Sequence, residues 1–282
     1  MAEDDPSYRI RLRGLGSEAL VRAMEEGDWS VVEGAYFDCF RADLHVIEPF
    51  AIPEWWVRIR AFDWGSAKPF SYGEYVVSDG SLVDGRCYPA GALIKVWEWY
   101  GCLRKEGGVA VPDTGLKLSA AAVARVIKEK RGDYRFSRSV ADPSMFRVDG
   151  GVSIAEAMER EGVIWDRADN SRVARLGALG GWNQVRDRLI GDGEVVGEAD
   201  PMLYFFKTCR DTIRTLPALQ HDEMNPEDLD TNGEDHAADE TRYACMSRPY
   251  HRSKPIDLPE KKMNDLTIND LWELEKTNGA RI

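Results

Sequence analysis

From Val57 to Phe62 apolar and charged residues alternate through Arg58, Ile59, Arg60 and Ala61, the two-residue period of a strand, and the run stops at Asp63-Trp64-Gly65-Ser66. A carboxylate therefore sits where a strand ends, the position at which open α/β sheets bind ligands, and Gly65 leaves the next turn free for close approach by a substrate or ion. An Asp that only bonds its own turn gives the same local pattern. Ser71 to Ser78 and Ala92 to Tyr100 are β-rich runs at hairpin-like intervals, so three consecutive strands predict an antiparallel meander. Glu74, in the second of them, is either an extra acid near the strand ends or an outward-facing residue, and solvent exposure is the expectation.

Leu118 to Arg131 predicts a helix, with Ser119 near its start, Leu118, Ala122, Val126 and Ile127 on one face, and Gly132 to stop it. Tyr134 to Ala141 alternates as a strand and ends in Asp142-Pro143-Ser144, a second carboxylate at a strand end. Ser153 with Glu156 forms a capping box for a helix to Glu161. Val163 to Trp165 reads as a short strand, Ser171 to Leu189 as a helix, Met202 to Thr208 as a buried strand and Asp211 to Leu219 as a short helix. Glu234 to Met246 predicts the last helix of the body, with acids in its first turn where the helix dipole favours them. Further short helices are expected at Ser17 to Glu26 and Ile268 to Lys276. This order predicts an α/β fold with a mixed central sheet and helices on both faces, residues 51–250 forming the domain between a lead-in (1–50) without a core of its own and a tail (251–282).

Composition narrows the function. An apolar fraction of 43% with 30% charged residues over 282 positions is that of a globular protein. No apolar run approaches the length of a membrane span, and the acidic start Met1-Ala2-Glu3-Asp4-Asp5 does not suit a signal peptide, so an intracellular protein without a membrane partner is expected. Five widely spaced cysteines and four histidines make no zinc or disulfide framework. The net charge of -12 argues against coating nucleic acid by bulk electrostatics, but the charges are segregated. Acids crowd Asp222 to Glu240, whereas Arg125, Lys128, Lys130 and Arg131 gather on one predicted helix and are candidate phosphate contacts. No phosphate loop of the G-x-x-x-x-G-K-[ST] type occurs.

Asp63 and Asp142 each close a strand, while Asp235 and Asp239 lie four apart on one helix face, with His236 one turn before Asp239. Carboxylates brought together repel one another unless cations sit among them, and hard ions such as Mg²⁺ or Mn²⁺ are the partners that oxygen ligands select. Two such ions about 4 Å apart stabilise the attacking and leaving oxygens of a phosphoryl displacement. His236 is placed either to touch a ligand or a water, or to be merely solvated at a helix end.

The segments RAFDWGSAKPF, VADPSMFR and WNQVRDRL, and the long run from LYFFKTCRD to DHAADETRYA, resemble the nuclease domain of the large terminase subunit of tailed bacteriophages, a member of the RNase H-like superfamily. The resemblance implies Asp63, Asp142 and Asp239 as catalytic, metal-holding acids for two Mg²⁺ or Mn²⁺ ions, with Asp235 as an auxiliary ligand and His236 as a match to a histidine of some relatives. It implies an endonuclease that cuts concatemeric viral double-stranded DNA, working with an ATPase motor domain, the small terminase subunit and the portal, in the host cytoplasm at the procapsid and not in the mature virion. The motor's phosphate loop is missing here, so residues 1–50 would correspond to the linker from that motor. A non-catalytic module docking on DNA or portal, and another RNase H-like phosphoryl-transfer enzyme such as a resolvase or transposase, are the alternatives.

Overall fold

The computed structural model describes residues 34–131, 134–148, 150–175 and 179–252, so the helices expected at Ser17 to Glu26 and Ile268 to Lys276 lie outside the described residues. In chain order the elements are α1 (Ala42–His45), β1 (Val46–Ile47), β2 (Val57–Asp63), β3 (Ser71–Val77), β4 (Leu82–Val83), β5 (Arg86–Cys87), β6 (Leu93–Tyr100), β7 (Cys102–Arg104), β8 (Ala110–Gly115) and α2 (Ala120–Arg131). They continue with β9 (Arg138–Ala141), a 3-10 turn (Pro143–Phe146), α3 (Ile154–Glu159), β10 (Asp166–Arg167), α4 (Gly181–Ile190), β11 (Leu203–Phe206), α5 (Arg210–Thr215), a second 3-10 turn (Leu216–Ala218) and α6 (His236–Ser247).

Seven strands form one mixed sheet in the order β1-β11-β6-β3-β2-β9-β10. The predicted meander is its centre: β2 pairs antiparallel with β3, and β3 with β6. β9 lies parallel to β2, in register from Ile59 opposite Arg138 to Phe62 opposite Ala141. Residues of β2 alternate between two cores. Ile59 and Ala61 face the layer containing Trp182, Val185 and Leu189 of α4 and Ala238 and Ala244 of α6, whereas Phe62 packs on Val123, Ala124 and Ile127 of α2 and Met158 of α3. Helices thus cover both faces, as the element order predicts.

α6 is buried along all but its last residue, because Ala237, Ala238 and Ala244 let its backbone close on the sheet. Its approach also requires Gly73 of β3, where a Cβ would stand 2.2 Å from Glu240 Oε1. Glu240 is fully buried and meets Lys95 of β6, itself 0% exposed, in an ion pair that also bonds Thr212 Oγ1 (2.7 Å). Burial pulls the Lys95 ammonium down, but Glu240 and Glu98 outweigh it and raise its pKa.

Several expectations are corrected. Glu74 is not exposed: it is 1% accessible, and its carboxylate takes a two-pronged bond from Arg131 (2.7 and 2.5 Å) and another from Tyr72 Oη (2.8 Å). The body begins before residue 51, since Tyr36, Phe37, Cys39 and Phe40 enter the α4–α6 core and β1 extends the sheet beside β11. The helix expected from Ser171 starts only at Gly181, after the irregular residues 171–175; the glycines at 177, 180 and 181 disfavour an earlier helix. β9 begins at Arg138 rather than Tyr134, because the rings of Tyr134 and Phe136 lie under the Arg58 and Arg60 guanidiniums (4.4 and 4.7 Å) instead of joining the ladder. Val163 and Trp165 are core residues and the strand falls on Asp166–Arg167.

Candidate active site

Because Phe62 pairs with Ala141, the residues that follow them stand side by side where the two strands end, and the Asp142 N–H donates to the Phe62 carbonyl (2.9 Å). Adjacent strands are about 4.8 Å apart, so register alone brings Asp63 beside Asp142. Helix α6 crosses β2, β3 and β9 and supplies Asp239, with Asp235 at its N-cap position. The charges of Asp239 and Asp142 reach Asp63. Burial, then the charges of Asp239 and Asp142, push the Asp63 carboxyl up to about 7 against the pull of His236. Asp235 is pushed up to about 6 by burial and then by Asp239. Beneath them lies the buried Tyr243, whose hydroxyl is raised by burial and then by Asp63, Asp239 and Asp142.

Each acid is held. His236 Nδ1 lies 2.9 Å from Asp63 Oδ2, so His236 touches the first acid rather than being merely solvated. Arg242, one turn on from Asp239, donates Nε (3.0 Å) and Nη2 (2.7 Å) to Asp239 Oδ1. Asp142 Oδ1 accepts from the Ser144 N–H (2.9 Å) and its Oδ2 from the Ser144 hydroxyl, which is the local turn bonding that a strand-ending Asp before proline favours. Gly65 serves this turn in a different way from that expected. A Cβ there would stand 2.2 Å from the Pro69 carbonyl oxygen, so the glycine lets the chain close on itself rather than opening it to a ligand.

Sequence reasoning missed two contributors. Hairpin β7–β8 brings in Asp113, which has a left-handed backbone (φ 50°) and an ion pair to Lys68 (3.2 Å). Its Oδ1 is 3.8 Å from His236 Nε2, and both atoms are buried without a hydrogen-bond partner among the described residues. Arg172, from the irregular 171–175 segment, reaches to 3.9 Å from Asp239 Oδ2. The signal for Asp113 was a VPDTG turn too polar to read as a strand, and Arg172 was concealed by the expectation of a helix there. The candidate phosphate contacts stand elsewhere, on α2, which packs against the face of the sheet opposite α6. Arg125 pairs with Glu161 (3.0 Å), Lys128 donates to the Glu161 carbonyl (3.4 Å), Lys130 lies over Trp99 (6.0 Å) and Arg131 is committed to Glu74.

Among the described residues, no three His, Cys, Asp or Glu side chains close into a ready coordination sphere. Arg242, His236 and Ser144 instead take up the charge of these acids. The donors nevertheless suit a hard divalent cation in kind, being carboxylates from three separate elements, buried at Asp63 and Asp239 and half-buried at Asp142, whose mutual repulsion a cation would relieve.

No family profile and no curated protein matches the sequence. Solved structures of two phage proteins are similar to it. The large terminase of a thermophilic bacteriophage matches at 17% identity and a TM-score of 0.53, over 89% of this chain and 54% of that one. The P22 large terminase nuclease domain matches at 13% identity and a TM-score of 0.51, over 76% of this chain and 92% of that domain. The chain therefore spans about half the length of the thermophilic phage's protein and nearly the whole of the P22 nuclease domain. Its mixed seven-stranded sheet is RNase H-like, and its fold is that of a phage large-terminase nuclease domain.

Proposed function

We propose that this chain is a metal-dependent DNA endonuclease of the terminase type, with Asp63, Asp142 and Asp239 as its catalytic acids and Asp235 and His236 beside them. One observation carries the reading: acids from the ends of two parallel strands and from α6 stand close enough that the charges of two of them raise the third, on a fold shared with a terminase nuclease domain. When bound, two Mg²⁺ or Mn²⁺ ions would supply Lewis acidity and an activated water for phosphodiester hydrolysis. The residues of the chain do the rest. Asp63, Asp142 and Asp239 offer hard oxygen donors, His236 fixes the Asp63 carboxylate through Nδ1, and Arg242 fixes Asp239.

In this reading the substrate is double-stranded concatemeric DNA, and the working partners are an ATPase motor domain, the small terminase subunit and the portal of a procapsid in the host cytoplasm. The thermophilic phage's large terminase, solved in complex with ATP-gamma-S, matches over 53% of its length, which leaves room for a motor domain outside the matched part. Plasmid nicking by the purified chain with Mg²⁺ or Mn²⁺, against a chelated control, tests the proposal. Cleavage should require the metal and scatter along unrelated plasmids, since no base-reading module is recognisable in the sequence. Intact plasmid in every metal-loaded reaction would overturn it in favour of a docking module.

A further inference from the structure

We propose that Arg172 holds a DNA phosphate beside the acids, as the anion-binding half of the active site; the scissile role of that phosphate rests on the endonuclease reading above. Arg172 Nε donates to Asp228 Oδ1 (2.9 Å), and its guanidinium lies over the Trp182 ring (5.1 Å). Asp228 is itself fixed, by Trp182 Nε1 (2.7 Å) and the Leu229 N–H (2.8 Å). Although buried in part, it is kept below the usual carboxylate range by Trp182, Leu229 and Arg172, so it remains a charged brace for the guanidinium. The backbone is tied down as well: the Ser171 carbonyl accepts from Arg242 Nη1 (3.1 Å), the same guanidinium that clamps Asp239.

This bracing occupies only one edge of the guanidinium. Nη1 is 3.9 Å from Asp239 Oδ2, near enough for attraction and too far for a hydrogen bond. Nη2 is buried and has no acceptor among the described residues. The side chain is 26% exposed, so a ligand can reach it from solvent. Buried donors without acceptors are uncommon in folded proteins, and a rigid guanidinium fork matches two oxygens of a phosphate. A cluster of carboxylates repels an anionic substrate, so a cation fixed at its border answers a need the acids create. Arg242, the other arginine against Asp239, is spent on that carboxylate and on the Ser171 carbonyl.

The test uses the full chain with Arg172→Ala and Arg172→Lys. Affinity for a fluorescein-labelled DNA duplex is measured by anisotropy in chelator at fixed salt, and nicking kinetics are measured separately with Mn²⁺. Loss of one charge-assisted fork should weaken duplex binding by about 10- to 100-fold in the alanine variant and raise KM by a similar factor with a smaller change in kcat. Lysine should restore part of the binding, because it keeps the charge and loses the fork. Duplex affinity and KM equal to the parental values in both variants would overturn the proposal, even where melting temperature falls, since that is the behaviour of a purely structural Arg172–Asp228 pair. If the parental chain cuts nothing while Arg172→Ala still loses duplex affinity, the phosphate site stands and the endonuclease reading falls.

Discussion

Replacing Asp63 by Asn in the metal-free protein probes the convergence of the acids without relying on catalysis. Asparagine preserves the shape, and its Oδ1 can still accept from His236 Nδ1, 2.9 Å away in the parent. What changes is the charge. Asp63 is 6% exposed and its carboxyl lies at about 7 in the fold against 3.8 ordinarily, raised by burial first and then by Asp239 and Asp142. A carboxyl raised on folding is neutral in the fold at pH values where the unfolded chain has already released its proton, so stability falls as pH rises from 3.8 to about 7. Roughly three pKa units at about 1.36 kcal/mol each give a penalty of about 4 kcal/mol above that window. This is an upper figure, because side chains can swing apart and admit water; half of it, about 2 kcal/mol, would raise the melting temperature of Asp63→Asn by about 4 to 8 °C at about pH 8 in chelator. The gain should shrink to a small remainder near pH 4, where the folded carboxyl keeps its proton and the unfolded one has lost it only about half of the time. Thermal denaturation at the two pH values measures it. A variant that melts with the parent at both would refute the claim that Asp239 and Asp142 crowd Asp63.

The same acids predict a split between activity and stability. Asp63→Asn, Asp142→Asn and Asp239→Asn should each abolish nicking, with Asp235→Asn and His236→Ala less affected, but Asp239→Asn should lose stability because Arg242 keeps a buried charge without its partner. In the core, Lys95→Met leaves Glu240 fully buried and unpaired and should cost about 3 to 5 kcal/mol, whereas Lys95→Met with Glu240→Leu should recover most of it in a double-mutant cycle by denaturant unfolding. Additive losses would show that the pair is not coupled. His45 is buried and held neutral, Nδ1 accepting from the Arg41 N–H (2.9 Å) and Nε2 facing the Leu189 carbonyl (2.8 Å), and burial lowers its pKa from 6.5. A lowered histidine means that the unfolded state takes the proton first, so the stability advantage of the parent over His45→Gln should be complete well above the ordinary histidine value of 6.5 and shrink as pH falls through it. An advantage that grows on acidification would contradict it.

The parts of the fold visible in sequence are those with a local cause. Alternation marked β2, β-rich composition marked β3 and β6, the Ser153 cap marked α3, an apolar face marked α2 and acids in the first turn marked α6, because period, composition and capping depend on residues within a turn or two of one another. Asp63 and Asp142 were readable as strand-ending acids for the same reason. Their meeting was not, since it depends on β2 and β9 pairing in parallel across some eighty intervening residues and on Phe62 falling opposite Ala141. Burial of charge was equally out of reach. Glu74 and Lys95 look like solvent-facing residues until Arg131 and Glu240 arrive from elements far along the chain to neutralise them. Asp113 sits in β8 with a left-handed backbone and Arg172 in an irregular segment, so the direction of each is set by what it packs against and not by any periodicity of its own. Sequence alone thus determined which residues end strands and start helices, through short-range sterics and hydrogen bonding. Tertiary structure decided which charges share a low-dielectric space, because only the closed sheet and the buried α6 bring them there and remove the water between them.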